Sequence, residues 1–167
     1  MRCVVLALMV VGSVCGVASP ASAQPSEEHC VVEIVDQTSS GELIVAEAAC
    51  YPTFKIAMKS AGVAAWGDGA ASTVDGLAAA ATFTIGTHYE FANYGGSSMS
   101  VVGSSCSGGW LNTSAAWDNR ISSTRNGCPN IRHYAGANLT GAFQSTLAPG
   151  ANLTALNNLT SSIQYLP

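Results

Sequence analysis

From Phe83 onward the apolar residues fall into short runs separated by Gly and Asn turns. The runs predict strands over 83–91, 97–102, 110–112, 121–124, 131–134, 142–147 and 161–165. Strands this short, with a turn about every eight to twelve residues, are the pattern of an all-β sandwich. Upstream, Cys30 to Asp36 alternates with β-branched residues and predicts one more strand. Gln37–Gly41 is a turn, and Glu42 to Glu47 predicts the returning strand of a hairpin. Residues 53–61 have helical spacing, with Phe54, Ala57 and Met58 on one face and Lys55 and Lys59 elsewhere. Gly62 is placed to end that helix. Residues 62–82 are rich in Ala and Gly and read as a linker with one short helix over 74–80.

The first residues carry a different pattern. Arg2 precedes an apolar run from Cys3 to Val11, which Gly12, Gly16 and Pro20 interrupt. Ala21-Ser22-Ala23 then supplies an Ala-x-Ala cleavage site. Residues 1–23 therefore read as a secretory signal peptide. The run is too short and too broken to span a membrane, so the mature chain is expected to be secreted and to have no membrane partner. It divides into an extension and linker over 24–82 and a β domain over 83–167.

Charge narrows the partners. The whole chain carries −4, and loss of Arg2 leaves −5. No basic stripe is present, so nucleic acid is not an expected partner. Cys3 and Cys15 leave with the signal, and Cys30, Cys50, Cys106 and Cys128 remain. Four cysteines in an exported chain imply disulfides, with three possible pairings. Cys30–Cys50 and Cys106–Cys128 are favoured because each pair falls inside one predicted unit. A zinc site would need close Cys-x-x-Cys pairs, which the sequence lacks.

Two hexapeptides repeat. Asp118-Asn119-Arg120-Ile121-Ser122-Ser123 and Asn157-Asn158-Leu159-Thr160-Ser161-Ser162 both read Asp/Asn, Asp/Asn, any, any, Ser/Thr, Ser. Each follows an aromatic hairpin signal, Tyr89, Tyr94 and Gly96 before the first, Tyr134, Leu139 and Gly141 before the second. The spacing between copies is roughly forty residues, which fits two Greek keys of about four strands each. Loops rich in hard oxygen donors, gathered by a duplicated hairpin, are suited to calcium.

These motifs resemble the βγ-crystallin superfamily, whose Greek-key signature is an aromatic, four residues, an aromatic, one residue and Gly. Tyr89 to Gly96 matches it fully. Tyr134 to Gly141 matches except that Leu139 replaces the second aromatic. The resemblance covers residues 83–167 and implies a two-Greek-key sandwich with two calcium sites shared between the units. It implies side-chain oxygens from Asn119 and Asn158, hydroxyls from Ser122 and Ser161, and carbonyls of Glu90 and Arg120. Asp118 is the one acid in the hexapeptides, and Asn157 takes its place in the second. With so little charge, weak Ca2+ binding of about 10⁻⁴–10⁻³ M is expected.

The chain as a whole is also similar to small secreted actinobacterial proteins of a peptidase-inhibitor family related to a streptomycete metalloproteinase inhibitor. The shared element is Cys50-Tyr51-Pro52-Thr53-Phe54. This implies an inhibitor whose partner is an extracellular peptidase. A monomer is expected, and loops 104–109 and 147–150 are candidate reactive elements between which the sequence does not choose. The alternative is a structural or stress-associated module that calcium stiffens.

Catalysis is not expected. His29, His88 and His133 are far apart in sequence, with no His-Glu-x-x-His pair and no Gly-x-Ser-x-Gly elbow. His88 and His133 each precede a hairpin tyrosine, and equivalent exposed strand positions are expected for them. Trp117 is expected to pack in the core beneath the first hexapeptide. Asn112, Asn138, Asn152 and Asn158 head Asn-x-Ser/Thr sequons.

Overall fold

A computed structural model describes residues 26–65 and 82–167. Most of the 62–82 linker reading, with its short helix, lies outside the described residues, as do residues 1–23; of the described part, Val63 is buried beside α1. The elements in order are β1 (His29–Gln37), β2 (Leu43–Val45), β3 (Ala49–Tyr51), α1 (Phe54–Ser60), β4 (Phe83–Phe91), β5 (Gly95–Gly103) and β6 (Trp110–Asn112). They continue with β7 (Ser123–Asn126), β8 (Asn130–Gly136), β9 (Thr140–Leu147), β10 (Gly150–Asn152) and β11 (Ser162–Leu166). No helix among the described residues is long and apolar enough to cross a membrane.

The strands form two sheets. One has the order β10-β7-β4-β5-β1-β2, with β3 also on β1, and the other has the order β6-β11-β8-β9. Strands β4 to β7 and β8 to β11 are two Greek keys, since each sends its third strand into the sheet of the other. β6 pairs with β11, and β10 pairs with β7. The fold is thus an all-β sandwich of two interlocked keys, as expected from the crystallin resemblance. Sequence spacing missed β10, because Gly150-Ala151-Asn152 carries no large apolar residue and earns its place only by pairing with Ser123–Arg125.

Local chemistry sets the turns. Gly96 and Gly141 have φ of +73° and +78°, values that suit a residue without Cβ. A Cβ at Gly96 would also stand 2.6 Å from the Phe91 ring, which folds over the hairpin. Thr53 caps α1 by accepting from Ile56 N–H, and Gly62 follows with φ +68°.

Ile85, Val101, Leu111, Trp117, Ile121, Ile131, Ile163 and Tyr165 pack between the sheets. Each such side chain contributes about 1.5–3 kcal/mol when fully buried. A second cluster, Val31, Ala57, Met58, Val63 and Val102, lies under α1. The extension is not set apart from the sandwich: β1 runs parallel to β5, from His29 opposite Ser98 to Glu33 opposite Val102.

Both expected disulfides are present, Cys30–Cys50 and Cys106–Cys128. The first joins β1 to β3, where Cys30 and Cys50 face each other.

Candidate functional site

The two hexapeptides meet across the pseudo-two-fold axis that relates the keys. Asn119 N–H donates to the Thr160 carbonyl at 3.0 Å, and Asn158 N–H donates to the Ile121 carbonyl at 2.9 Å. Each loop is therefore hydrogen-bonded to the other at matching positions. Asn119 and Asn158 adopt φ of 56° and 55°, a left-handed conformation that asparagine tolerates. Next to them, Ser122 N–H donates to the Tyr89 carbonyl at 2.9 Å and Ser161 N–H to the Tyr134 carbonyl at 2.8 Å.

Each final serine of the repeat is a brace. Ser123 Oγ donates to the Phe91 carbonyl at 2.6 Å and accepts from Tyr94 N–H at 3.0 Å. Ser162 Oγ donates to the Gly136 carbonyl at 2.7 Å and accepts from Leu139 N–H at 3.0 Å. Sequence reasoning passed over a second brace made of four asparagines. Asn93 N–H donates to Asn152 Oδ1, and Asn152 Nδ2 returns a bond to Asn93 Oδ1. Asn138 and Asn112 repeat the exchange. Their signal was the recurrence of Asn at equal positions in the two hairpins, Asn93 and Asn138.

The expected ligands sort into two unequal groups. In the first, Ser122 Oγ lies 2.7 Å from the Glu90 carbonyl oxygen and 2.9 Å from Asn158 Oδ1. One hydroxyl proton cannot serve two acceptors at once. Three neutral oxygens from both keys thus converge at a partly buried point, a donor set that fits a hard cation. In the second, Ser161 uses its carbonyl to accept from Thr113 N–H and Thr113 Oγ1. Asn119 Nδ2 donates to Asp118 Oδ2 at 3.2 Å, and Asp118 Oδ1 accepts from Thr113 Oγ1 at 3.4 Å. Asp118, Asn157 and Asn158 are exposed.

The side chains of Glu90 and Arg120 are occupied with each other, at 3.0 Å. Arg120 also stacks over Trp117, 5.4 Å from its ring, and donates to the Ala116 carbonyl. Trp117 is buried beneath the loop, as expected. With those side chains paired, a metal would be met by the backbone carbonyls of these two residues, that of Glu90 already facing the Ser122 hydroxyl.

The histidines required the largest correction. His88 and His133 do occupy equivalent positions on β4 and β8, but both are fully buried. Their rings meet edge to face at 5.3 Å. His88 Nε2 lies 2.9 Å from the Tyr165 hydroxyl, its Nδ1 lies 3.2 Å from Thr124 Oγ1, and His133 Nε2 is 3.4 Å from that same Nδ1. Burial lowers the His133 pKa to about 3, opposed by the Gln144 backbone, although Nδ1 closes no hydrogen bond. Burial, with His133 beside it, drives His88 well below its ordinary value. Their polarity argued for solvent, whereas β4 is buried continuously from Thr84 to Tyr89. The four-group polar cluster that they form with Tyr165 and Thr124 spans four strands and could not be read from one segment.

Glu28, Cys30 and Cys50 are the cluster of three metal-ligating residue types among the described residues. Both sulfurs there belong to the disulfide, so the cluster is not a thiolate site.

No family model and no curated protein matches this chain. Among solved structures it is similar to a βγ-crystallin domain from Clostridium beijerinckii, at 21% identity and a TM-score of 0.40, over 48% of this chain and 97% of that one. The N-terminal domain of Protein S is 22% identical with a TM-score of 0.39, over 47% and 91%. A βγ-crystallin from an archaeon is 20% identical with a TM-score of 0.39, over 48% and 95%.

Proposed function

We propose that the chain is a secreted, non-enzymatic module that binds calcium where its two hexapeptide loops cross. The observation that carries this reading is the convergence of Ser122 Oγ, the Glu90 carbonyl and Asn158 Oδ1. Oxygen donors of this kind are what Ca2+ requires, and water would complete a shell of six to eight. The ligands come from both keys, so a bound ion would tie the two halves of the sandwich together. Asn119, Ser161 and Asp118 are the residues of the corresponding second site. Arg120 and Asn157 would take part through backbone oxygen. The two disulfides fit an oxidising compartment, which agrees with export by the N-terminal signal.

Thermal unfolding in chelator and in about 10 mM calcium, a level chosen for weak extracellular sites, tests the proposal. An ion that binds only the folded state at tenfold excess over its Kd adds about 1.4 kcal/mol. A melting curve that calcium leaves in place overturns it.

Peptidase inhibition is a second reading, and Leu147 favours it. Its side chain is 67% exposed at the start of a short, firmly held connection. Ala148 N–H donates to the Pro129 carbonyl, Asn126 N–H to the Pro149 carbonyl, and Gly150 pairs with Arg125. A projecting apolar side chain on pre-ordered backbone is what a cleft-filling inhibitor presents. Assay of secreted metallopeptidases with the wild type and Leu147→Asp decides it. Inhibition that the substitution abolishes supports the reading, and absence of inhibition leaves the calcium-stiffened structural module.

A further inference from the structure

β5 and β9 are equivalent strands of the two keys. Tyr89 pairs with Ser98 as Tyr134 pairs with Phe143, and His88 pairs with Met99 as His133 pairs with Gln144. Their outer edges differ. β1 fills the edge of β5, which is buried from Ser97 to Gly103. β9 pairs with β8 alone and ends its sheet. Phe143 and Leu147 are 56% and 67% exposed there, and Ser145 is exposed between them. The extension has thus closed one of two matching edges.

An open edge normally carries a charge, a proline or a bulge that blocks further pairing. Thr140 to Leu147 contains no charge and no proline over eight residues, and its register irregularity against β8 falls between Thr140 and Phe143, which leaves Phe143 to Leu147 in regular pairing. Beside it stands Arg132. Its guanidinium lies 4.7 Å over the Phe143 ring and donates to Ser145 Oγ and Tyr134 Oη. Among the described residues these partners include no carboxylate, whereas Arg120 has Glu90.

We propose that the β9 edge binds an extended peptide segment of another protein that carries a carboxylate on its outward face. The free N–H and C=O groups of β9 supply the ladder, Phe143 and Leu147 flank the added strand, and Arg132 selects the acid. The seating of β1 on β5 is the pattern for such a strand. Val31 of β1 packs with Val102 on the outward face, and Glu33, two residues on, shares that face. A second copy of the chain is a poorer occupant. Joining two β9 strands would bring two Arg132 side chains to one interface and supply no acid to either. The proposal does not depend on calcium.

The probe is a synthetic peptide of residues 28–37 with Cys30→Ser, added to the isotope-labelled mature chain and followed by amide NMR. Shifts should concentrate on 142–147 and Arg132. Arg132→Gln in the protein, or Glu33→Gln in the peptide, should each weaken binding about tenfold, the worth of a charge-assisted hydrogen bond. Leu147→Lys should remove it, while the melting temperatures of both protein variants stay near wild type. Any of three results overturns the proposal. These are no β9 shift up to about 1 mM peptide, the limit of a meaningful weak complex; shifts confined to β5 and β1; or unchanged affinity in Arg132→Gln with an intact fold. Self-association through β9 in the absence of peptide would assign the edge to a second copy and overturn it equally.

Discussion

The Ser122 hydroxyl lies 2.9 Å from the Asn158 side-chain oxygen. The two residues are 36 positions apart and belong to different Greek keys. Neither key could assemble this point alone, because Ser122 immediately precedes β7 in one sheet while Asn158 precedes β11 in the other. The crossed backbone bonds from Asn119 and Asn158 hold the loops in register. Any ligand gathered there reports on the association of the two halves.

Ser122→Ala should lower stability by about 1 kcal/mol in chelator, since a buried hydroxyl that serves the Glu90 carbonyl is lost. It should also shrink the calcium-induced rise in melting temperature. Asn158→Asp should enlarge that rise, because it places a carboxylate among neutral oxygens. Calorimetric titration of the three proteins checks both. Equal calcium affinity in wild type and Asn158→Asp would leave Asn158 as a turn residue.

Removal of the second disulfide by Cys106→Ser with Cys128→Ser should cost about 3 kcal/mol in the chain-entropy estimate for a loop of this length. The two cysteines are 22 residues apart. Cys128 is fully buried in the inter-sheet core, so its replacement also leaves a polar atom among Ile and Tyr side chains. The denaturant midpoint measures the loss. Removal of Cys30–Cys50 should instead loosen β3 and α1, which hydrogen exchange at Ala57 and Met58 would register as faster exchange with the sandwich amides unchanged.

Gly127→Ala should be among the most damaging single changes. A Cβ there would stand 1.7 Å from the Thr84 carbonyl oxygen, so two backbones would have to separate. Loss of more than about 3 kcal/mol is expected for strain of this kind, and expression yield with a thermal melt checks it.

Much of the fold was legible in the sequence because its signals are local. Tyr89, Tyr94 and Gly96 specify a folded hairpin within eight residues, and Thr53 and Gly62 bracket α1. Both disulfides follow from closeness along the chain. Three features were not legible, and each depends on distant partners. β10 exists only through its pairing with β7. The position of β1 depends on β5, over 60 residues later in the chain. The burial of His88 and His133 depends on Tyr165 and Thr124, which lie on two other strands. In the site, the shared Ser122–Asn158 point follows the resemblance, while the reciprocal Asn93–Asn152 and Asn112–Asn138 pairs were seen only as sequons.

The buried histidine pair makes stability depend on pH in a defined direction. His88 and His133 are fully buried, and burial holds both below the ordinary value of 6.5, His133 at about 3. The fold therefore keeps both imidazoles neutral at a pH where the unfolded chain protonates them. Below about 6.5 the unfolded state binds more protons than the folded state, so stability falls as pH falls. The loss continues until the folded pKa values are reached, about 3 for His133. In that window each histidine contributes a slope approaching about 1.4 kcal/mol per pH unit. From pH 7 to 5, above most carboxylate titration, the denaturant midpoint should drop steadily. His133→Gln should make the slope shallower, because one proton taken up on unfolding is gone while His88, and His29, which burial also lowers, still contribute. A midpoint that stays constant from pH 7 to 5 would mean that the imidazoles are not held neutral in the core.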